Sequence, residues 1–374
     1  MRVAGDSSMT IRDAVGQLLM VGFQGTELSR EFLDWLQECR PGGVILFSRN
    51  LVDPEQVARL TNALQAHAPD SPLLIAIDEE GGCVSRLPQG FTTFPAASRI
   101  AECRSPDVAY EVAEVTAQEL QAVGINMNLA PVLDVNSNPD NPIIGDRAYG
   151  TQPERVCTYG MAVMQGLEDN GIIPCGKHFP GHGDTMTDSH HALPVVEADR
   201  ARLDAVELEP FRRAIHRGLP AIMTAHVCYP ALDAEAPATL SRPILSDLLR
   251  NELGFEGVTL TDDMEMRAIL DHQSIGEASV RALQAGADMV VICHKQERQQ
   301  EVVAVIEQAF ACGELSWERL TASVARLRAL KEKRLIPLQP VDPSRAMQTV
   351  GHPRHKALLE KIHQAGRVHD VERP

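Results

Sequence analysis

The sequence lacks the features that define several large protein classes. Its eight cysteines, at positions 39, 83, 103, 157, 175, 228, 293 and 312, lie far apart and form no Cys-x-x-Cys pair. That excludes a zinc ribbon or a disulfide scaffold and suits a reducing cytosol. No stretch approaches the roughly 20 apolar residues that span a bilayer. The first apolar run, Leu18 to Phe23, is short and follows Arg2, Asp6, Arg12 and Asp13, so no secretory signal is expected. A basic excess is missing too: the formal net charge is −16, which argues against nucleic acid and anionic membrane surfaces as partners. After the first β-type run, Gly22, Gly25, Gly42 and Gly43 have the wrong spacing for a dinucleotide fingerprint. A cytoplasmic protein acting as a monomer is expected.

What the chain has is alternation. Short apolar runs at 17–23, 43–47, 73–77, 126–133, 174–178, 221–226, 258–261 and 288–293 read as strands. Segments of helical period at 30–39, 54–67, 107–123, 153–169, 203–217, 243–251, 275–286 and 296–311 separate them. Eight strand–helix units in strict order predict an α/β fold with a parallel sheet, and eight is the number that closes a (β/α)8 barrel of the TIM type. An open doubly wound sheet is the alternative. Residues 1–9 are expected to be a disordered extension, 10–335 the catalytic barrel with a last helix at 317–333, and 336–374 a loosely packed tail without period.

The segment from Pro174 to Pro194 carries His178, His182, His190 and His191 with Asp184 and Asp188, and has neither helical nor strand period. Three readings compete: a polar surface excursion, a metal site built from those six side chains, and acid/base chemistry by the Asp188-x-His190 pair, the carboxylate orienting the imidazole. Asp78, Asp134, Lys177, His178, His226, Asp262 and Asp263 all stand at predicted strand ends, and a barrel would gather them on one rim, where catalytic residues sit. For Asp134 and His226 a satisfied polar group at the edge of the core is the simpler reading, and Asp263 is the expected cap of the helix near Met264.

Lys177-His178-Phe179-Pro180-Gly181-His182-Gly183-Asp184-Thr185, with Asp188-Ser189-His190, resembles the signature of glycoside hydrolase family 3, in particular its bacterial cytoplasmic β-N-acetylglucosaminidases of peptidoglycan recycling. Ile77-Asp78-Glu79-Glu80-Gly81-Gly82, Gly145-Asp146-Arg147-Ala148-Tyr149-Gly150 and Thr261-Asp262-Asp263-Met264 extend the likeness. The resemblance implies retaining hydrolysis of terminal β-linked N-acetylglucosamine without a cofactor or metal. Asp262 would be the nucleophile, His190 the acid/base and Asp188 its partner. Asp78, Arg86, Arg147, Lys177 and His178 would bind the sugar. Cys83 and His294 depart from the family pattern near the expected aglycone side. A phosphorylase on the same scaffold and a non-catalytic sugar-binding relative are the alternatives.

Overall fold

The computed structural model of the chain describes residues 10–371 except 70, 187 and 190–192, with side chains as far as 364. Eight parallel strands close into a barrel: β1 (Leu19–Val21), β2 (Gly43–Leu46), β3 (Leu74–Ile77), β4 (Met127–Asn128), β5 (Ile173–Phe179), β6 (Ala221–Thr224), β7 (Val258–Asp263) and β8 (Met289–Ile292). Each pairs with its sequence neighbours, and β1 closes the ring on β8 with Leu19 opposite Val290. The β-type runs are buried on both faces, one against the barrel interior and one against the helices, which is why Gly-Val-Ile-Leu, Leu-Ile-Ala-Ile and Met-Val-Val-Ile show no polar alternation.

Some elements differ from their sequence reading. The run 126–133 forms a strand of only two residues. Pro131 brings no N–H to a ladder, and the Asn126 side chain adds to the backbone pairing at the strand's start, accepting from Ile75 N and donating to Leu73 O. The helix expected over 203–217 is two helices, Arg200–Ala205 and Glu209–His216, the second with Pro210 in its first turn. The segment 243–252 is a π-helix. Between β6 and β7 a small antiparallel ribbon, Cys228–Tyr229 with Asp233–Pro237, stands outside the barrel.

At the bottom of the barrel the helix Trp317–Leu335 packs against β7 and the helix Ile11–Gln17. Buried Asp288 accepts from Ser323 Oγ at 2.7 Å, Arg326 at 3.0 Å and the Thr259 amide at 3.1 Å, and pairs with Arg250 and Arg319. The tail is not without structure: it forms helices at Pro343–Thr349 and Pro353–Val371 that lie against the barrel's outer helices. Its anchor is Glu119, fully buried in the helix Pro106–Ala122. That carboxylate accepts from Thr92 N (2.8 Å) and Thr92 Oγ1 (2.7 Å), and from the tail's Gly351 N (2.9 Å) and His355 Nδ1 (2.7 Å). Gly351 has a φ of 65° and passes so close to Gly90 that a Cβ would stand 2.2 Å from its carbonyl oxygen, which only glycine permits.

Replacing Glu119 by alanine strands these donors in the interior, each unmatched group costing about 1–3 kcal/mol. We expect Glu119→Ala to lower the thermal midpoint and to open the segment 336–353 to limited proteolysis. An unchanged digestion pattern would show that the tail is held by other contacts.

Candidate active site

Lys177 lies near the end of β5, and its side chain is 2% exposed. A buried ammonium needs counter-charge, and two carboxylates from the segment after β3 supply it: Asp78 Oδ1 and Glu80 Oε1 both stand 2.6 Å from Nζ. Glu80 in turn holds Arg147, from the short helical turn Gly145–Arg147, in a bidentate pair with both N···O distances at 2.8 Å. Two cations and two anions therefore balance at the mouth of the barrel. Burial alone would raise the Glu80 carboxyl, but Lys177 and then Arg147 overcome it and hold the group far below the usual carboxylate range. Burial likewise opposes the charge on Lys177, and Asp78 and Glu80 outweigh it, so its amine is held above the ordinary lysine value.

Among the described residues the array is not saturated. An ammonium has three N–H groups and a guanidinium five. Lys177 spends two on Asp78 and Glu80, while Arg147 spends two on Glu80 and one on the Ile143 carbonyl. Asp78 keeps Oδ2. Arg86, on the loop after β3, has a buried Nε–H without a hydrogen-bond partner among the described residues. The loop is set by Glu79, whose Oε2 accepts from Ser85 Oγ (2.8 Å) and Arg86 N (3.1 Å). Burial pushes the Glu79 carboxyl up to about 7.

A second hub is Asp134, fully buried beyond β4. Its Oδ2 accepts from His178 Nδ1 at 2.7 Å and its Oδ1 from the backbone amides of His178 (3.1 Å) and His182 (2.7 Å). Burial, the largest influence, would raise this carboxyl, yet His178 and His182 together outweigh it and the net shift is downward. The carboxylate fixes His178 with its proton on Nδ1 and turns Nε2 away from it. His182 serves the loop itself. Burial lowers it to about 4, so it is neutral. Thr185 Oγ1 donates to the His182 carbonyl (3.1 Å) and receives Asn141 Nδ2 (3.2 Å), so His182 Nδ1–H donates to it (2.9 Å) and Nε2 accepts from Ser189 Oγ (3.1 Å). Gly183 completes the foot of the loop: a Cβ there would lie 1.7 Å from the Val135 carbonyl oxygen.

Asp262 is half-buried within β7, not just past its end, and Asp263 N donates to its Oδ1 at 2.8 Å. Its charge acts on Cys175, His182, His226 and Cys293, and Asp78 acts on Cys175 and Cys293 as well. Asp78, Lys177, His178 and Asp262 stand at the C-terminal ends of β3, β5 and β7, on one rim of the barrel. Asp263 caps the turn to Met266, accepting from Glu265 N at 3.0 Å. His226 is buried, with Nε2 donating to the Asp263 carbonyl at 3.0 Å. The Ser189 carbonyl accepts from Ala268 N at 3.4 Å, tying the long loop to the segment after β7. Asp188 is half-buried beside it. His190 and His191 lie outside the described residues. No three His, Cys, Asp or Glu side chains gather as a metal site among the described residues. Glu80 is the member that sequence reasoning passed over. Its signal was indirect: Lys177 and Arg147 need carboxylates, and Asp78 alone cannot balance both.

Glu80→Gln leaves two buried cations facing one carboxylate, and removing one partner of a buried pair costs about 3–5 kcal/mol. Because the Glu80 pKa is depressed in the fold, its stabilising contribution is present above the ordinary carboxylate pKa and is lost as pH falls through that range toward the folded value. Denaturant titrations from pH 7 to pH 3 are expected to show a large deficit for Glu80→Gln at pH 7 that narrows in acid. A constant gap across that range would remove Glu80 as the titrating partner.

The model of the glycosyl hydrolase family 3 N-terminal domain matches residues 10–330. A β-hexosaminidase of Nitrosomonas eutropha is 38% identical over 85% of this chain and 90% of its own. A family 3 β-N-acetylglucosaminidase from Paenibacillus sp. superposes with a TM-score of 0.91 at 44% identity, over 96% of this chain and 69% of that one. NagZ from Neisseria gonorrhoeae, solved with N-trifluoroacetyl-D-glucosamine, gives a TM-score of 0.76 at 30% identity, over 93% and 98% of the two chains. The chain belongs to glycosyl hydrolase family 3 and is a glycosidase built on that family's barrel.

Proposed function

We propose that the protein removes terminal, non-reducing, β-linked N-acetylglucosamine with retention of configuration. The observation that carries this reading is the unspent hydrogen bonding at the mouth. One N–H of Lys177, two of Arg147, Asp78 Oδ2 and His178 Nε2 supply hydrogen-bonding groups at the ends of the strands that form the mouth. Sugar hydroxyls both donate and accept, so a pyranose ring matches such a set, and charged partners strengthen each bond. A β-hexosaminidase relative and a neighbour holding an N-acylated glucosamine support the choice of sugar.

In this reading Asp262 attacks the anomeric carbon. A carbon–oxygen bond to its carboxylate forms as the glycosidic bond breaks, and the departing oxygen takes its proton from His190. His190 then removes a proton from water, which displaces Asp262 and returns the sugar with its original configuration. Asp188 orients the imidazole and stabilises its protonated form. An imidazole with an ordinary pKa near 6.5 serves both half-reactions close to neutrality. Attachment of the loop near Ala268 brings its backbone to the β7 side of the mouth, in keeping with that role. On the strength of the sequence resemblance, we extend the reading to N-acetylglucosaminyl-anhydromuramyl peptides released during cell-wall recycling in the cytoplasm.

The test is release of nitrophenol from a nitrophenyl β-N-acetylglucosaminide. Asp262→Asn is expected to reduce kcat by about 10³-fold or more, and proton NMR should show the β-anomer first. Undiminished release by Asp262→Asn sinks the assignment. Sugar 1-phosphate as the main product in phosphate buffer would replace hydrolysis with phosphorolysis.

A further inference from the structure

Lys331 is as deeply buried as Lys177, and its surroundings are the opposite. It stands on the helix Trp317–Leu335 at the end of the barrel away from the sugar site, and is 3% exposed. Its Nζ donates to Gln17 Oε1 at 2.9 Å and to Ser71 Oγ at 3.2 Å, both neutral. No carboxylate pairs with it among the described residues, and burial alone pulls its amine down to about 7. Its third N–H has no partner among the described residues.

Lys331, Gln17 and Ser71 together form the polar floor of a pocket of about 880 Å³. Its apolar lining includes buried Leu73, half-buried Val324 and, toward the opening, exposed Ile336. Charges at the rim cancel in pairs: Arg40 with Asp13 at 3.2 Å and Arg328 with Glu332 at 3.0 Å. Among the described residues, the cation without a carboxylate partner is therefore the one at the bottom. Pockets of this size with apolar walls and a few convergent polar groups are the usual form of a small-molecule site, and a perturbed ionisable group in such a cleft marks it further.

We propose that this basal pocket binds a small organic anion, a carboxylate on an apolar body, with the carboxylate on the Lys331 ammonium and the body against Leu73, Val324 and Ile336. A hydrated inorganic anion would satisfy the charge and leave those walls wet. A neutral apolar ligand would leave the ammonium as it is. The site is separate from the sugar site, so the proposal does not depend on the substrate reading.

Isothermal titration of the whole protein with benzoate, acetate and benzyl alcohol tests it. Benzoate should bind wild type saturably, acetate more weakly, and benzyl alcohol without discrimination between wild type and Lys331→Met. Benzoate should bind Lys331→Met at least tenfold more weakly. Methionine has nearly the length of lysine and carries no charge to bury, so the variant should fold, and unchanged glycosidase turnover is the control. Benzoate should also raise the pH at which the Lys331 Cε resonance titrates, with Asp13, Arg40, His67, Arg328 and Glu332 as the other charged or titratable groups facing the pocket. Absence of saturable binding by benzoate, or equal binding to wild type and Lys331→Met, overturns the proposal.

Discussion

The burial of one ammonium group, that of Lys177, governs the mouth of this barrel. A charge taken out of water must be matched at close range or neutralised. The chain matches it with Asp78 and Glu80, and Glu80 then brings in Arg147. Each of the three partners comes from a loop that follows a different strand from Lys177's own. The pairings therefore fix the relative positions of the loops after β3 and β4 against β5, and a rigid rim follows from electrostatics more than from packing.

The long loop after β5 obeys a different constraint. Its foot is held by a buried carboxylate, Asp134, and by a histidine that burial keeps neutral. Were His182 protonated, both ring nitrogens would donate and Ser189 Oγ would have to turn its proton away. Neutrality lets one ring accept at one end and donate at the other, so a single tautomer spans the loop from Thr185 to Ser189. Tyr229 adds a third tie, its hydroxyl donating to the Gly181 carbonyl at 2.6 Å. The loop is thus tightly fastened where it leaves the barrel.

The architecture was legible because β-type runs and helical periods alternate, and eight such units admit few closures. The clustering of Asp78, Lys177, His178 and Asp262 followed from their places at strand ends. What could not be read was any interaction that joins residues far apart by charge alone. Glu80 looked like a loop acid beside two others. Asp134 seemed a passive core-edge group, though it orients His178 and anchors His182. The tail seemed aperiodic because its first helix spans only Pro343–Thr349 and both of its helices begin at a proline. Its docking depends on Glu119, which in sequence is one more carboxylate on an amphipathic helix.

The two ends of the barrel show why charge alone does not locate a site. At the bottom, Asp288 collects donors from Arg250, Thr259, Arg319, Ser323 and Arg326. Both of its oxygens are consumed by side chains and backbone that belong to the fold. This carboxylate is as buried as any in the protein and has nothing left with which to hold a ligand. At the mouth, the same number of arginines is not needed, because cations and anions cancel two against two. Cancellation removes the electrostatic penalty without using up every N–H and every lone pair. Binding capacity is set by what is left of the hydrogen bonds, and at the mouth, in the proposed reading, that remainder would hold a ring by its hydroxyls with its first carbon toward Asp262.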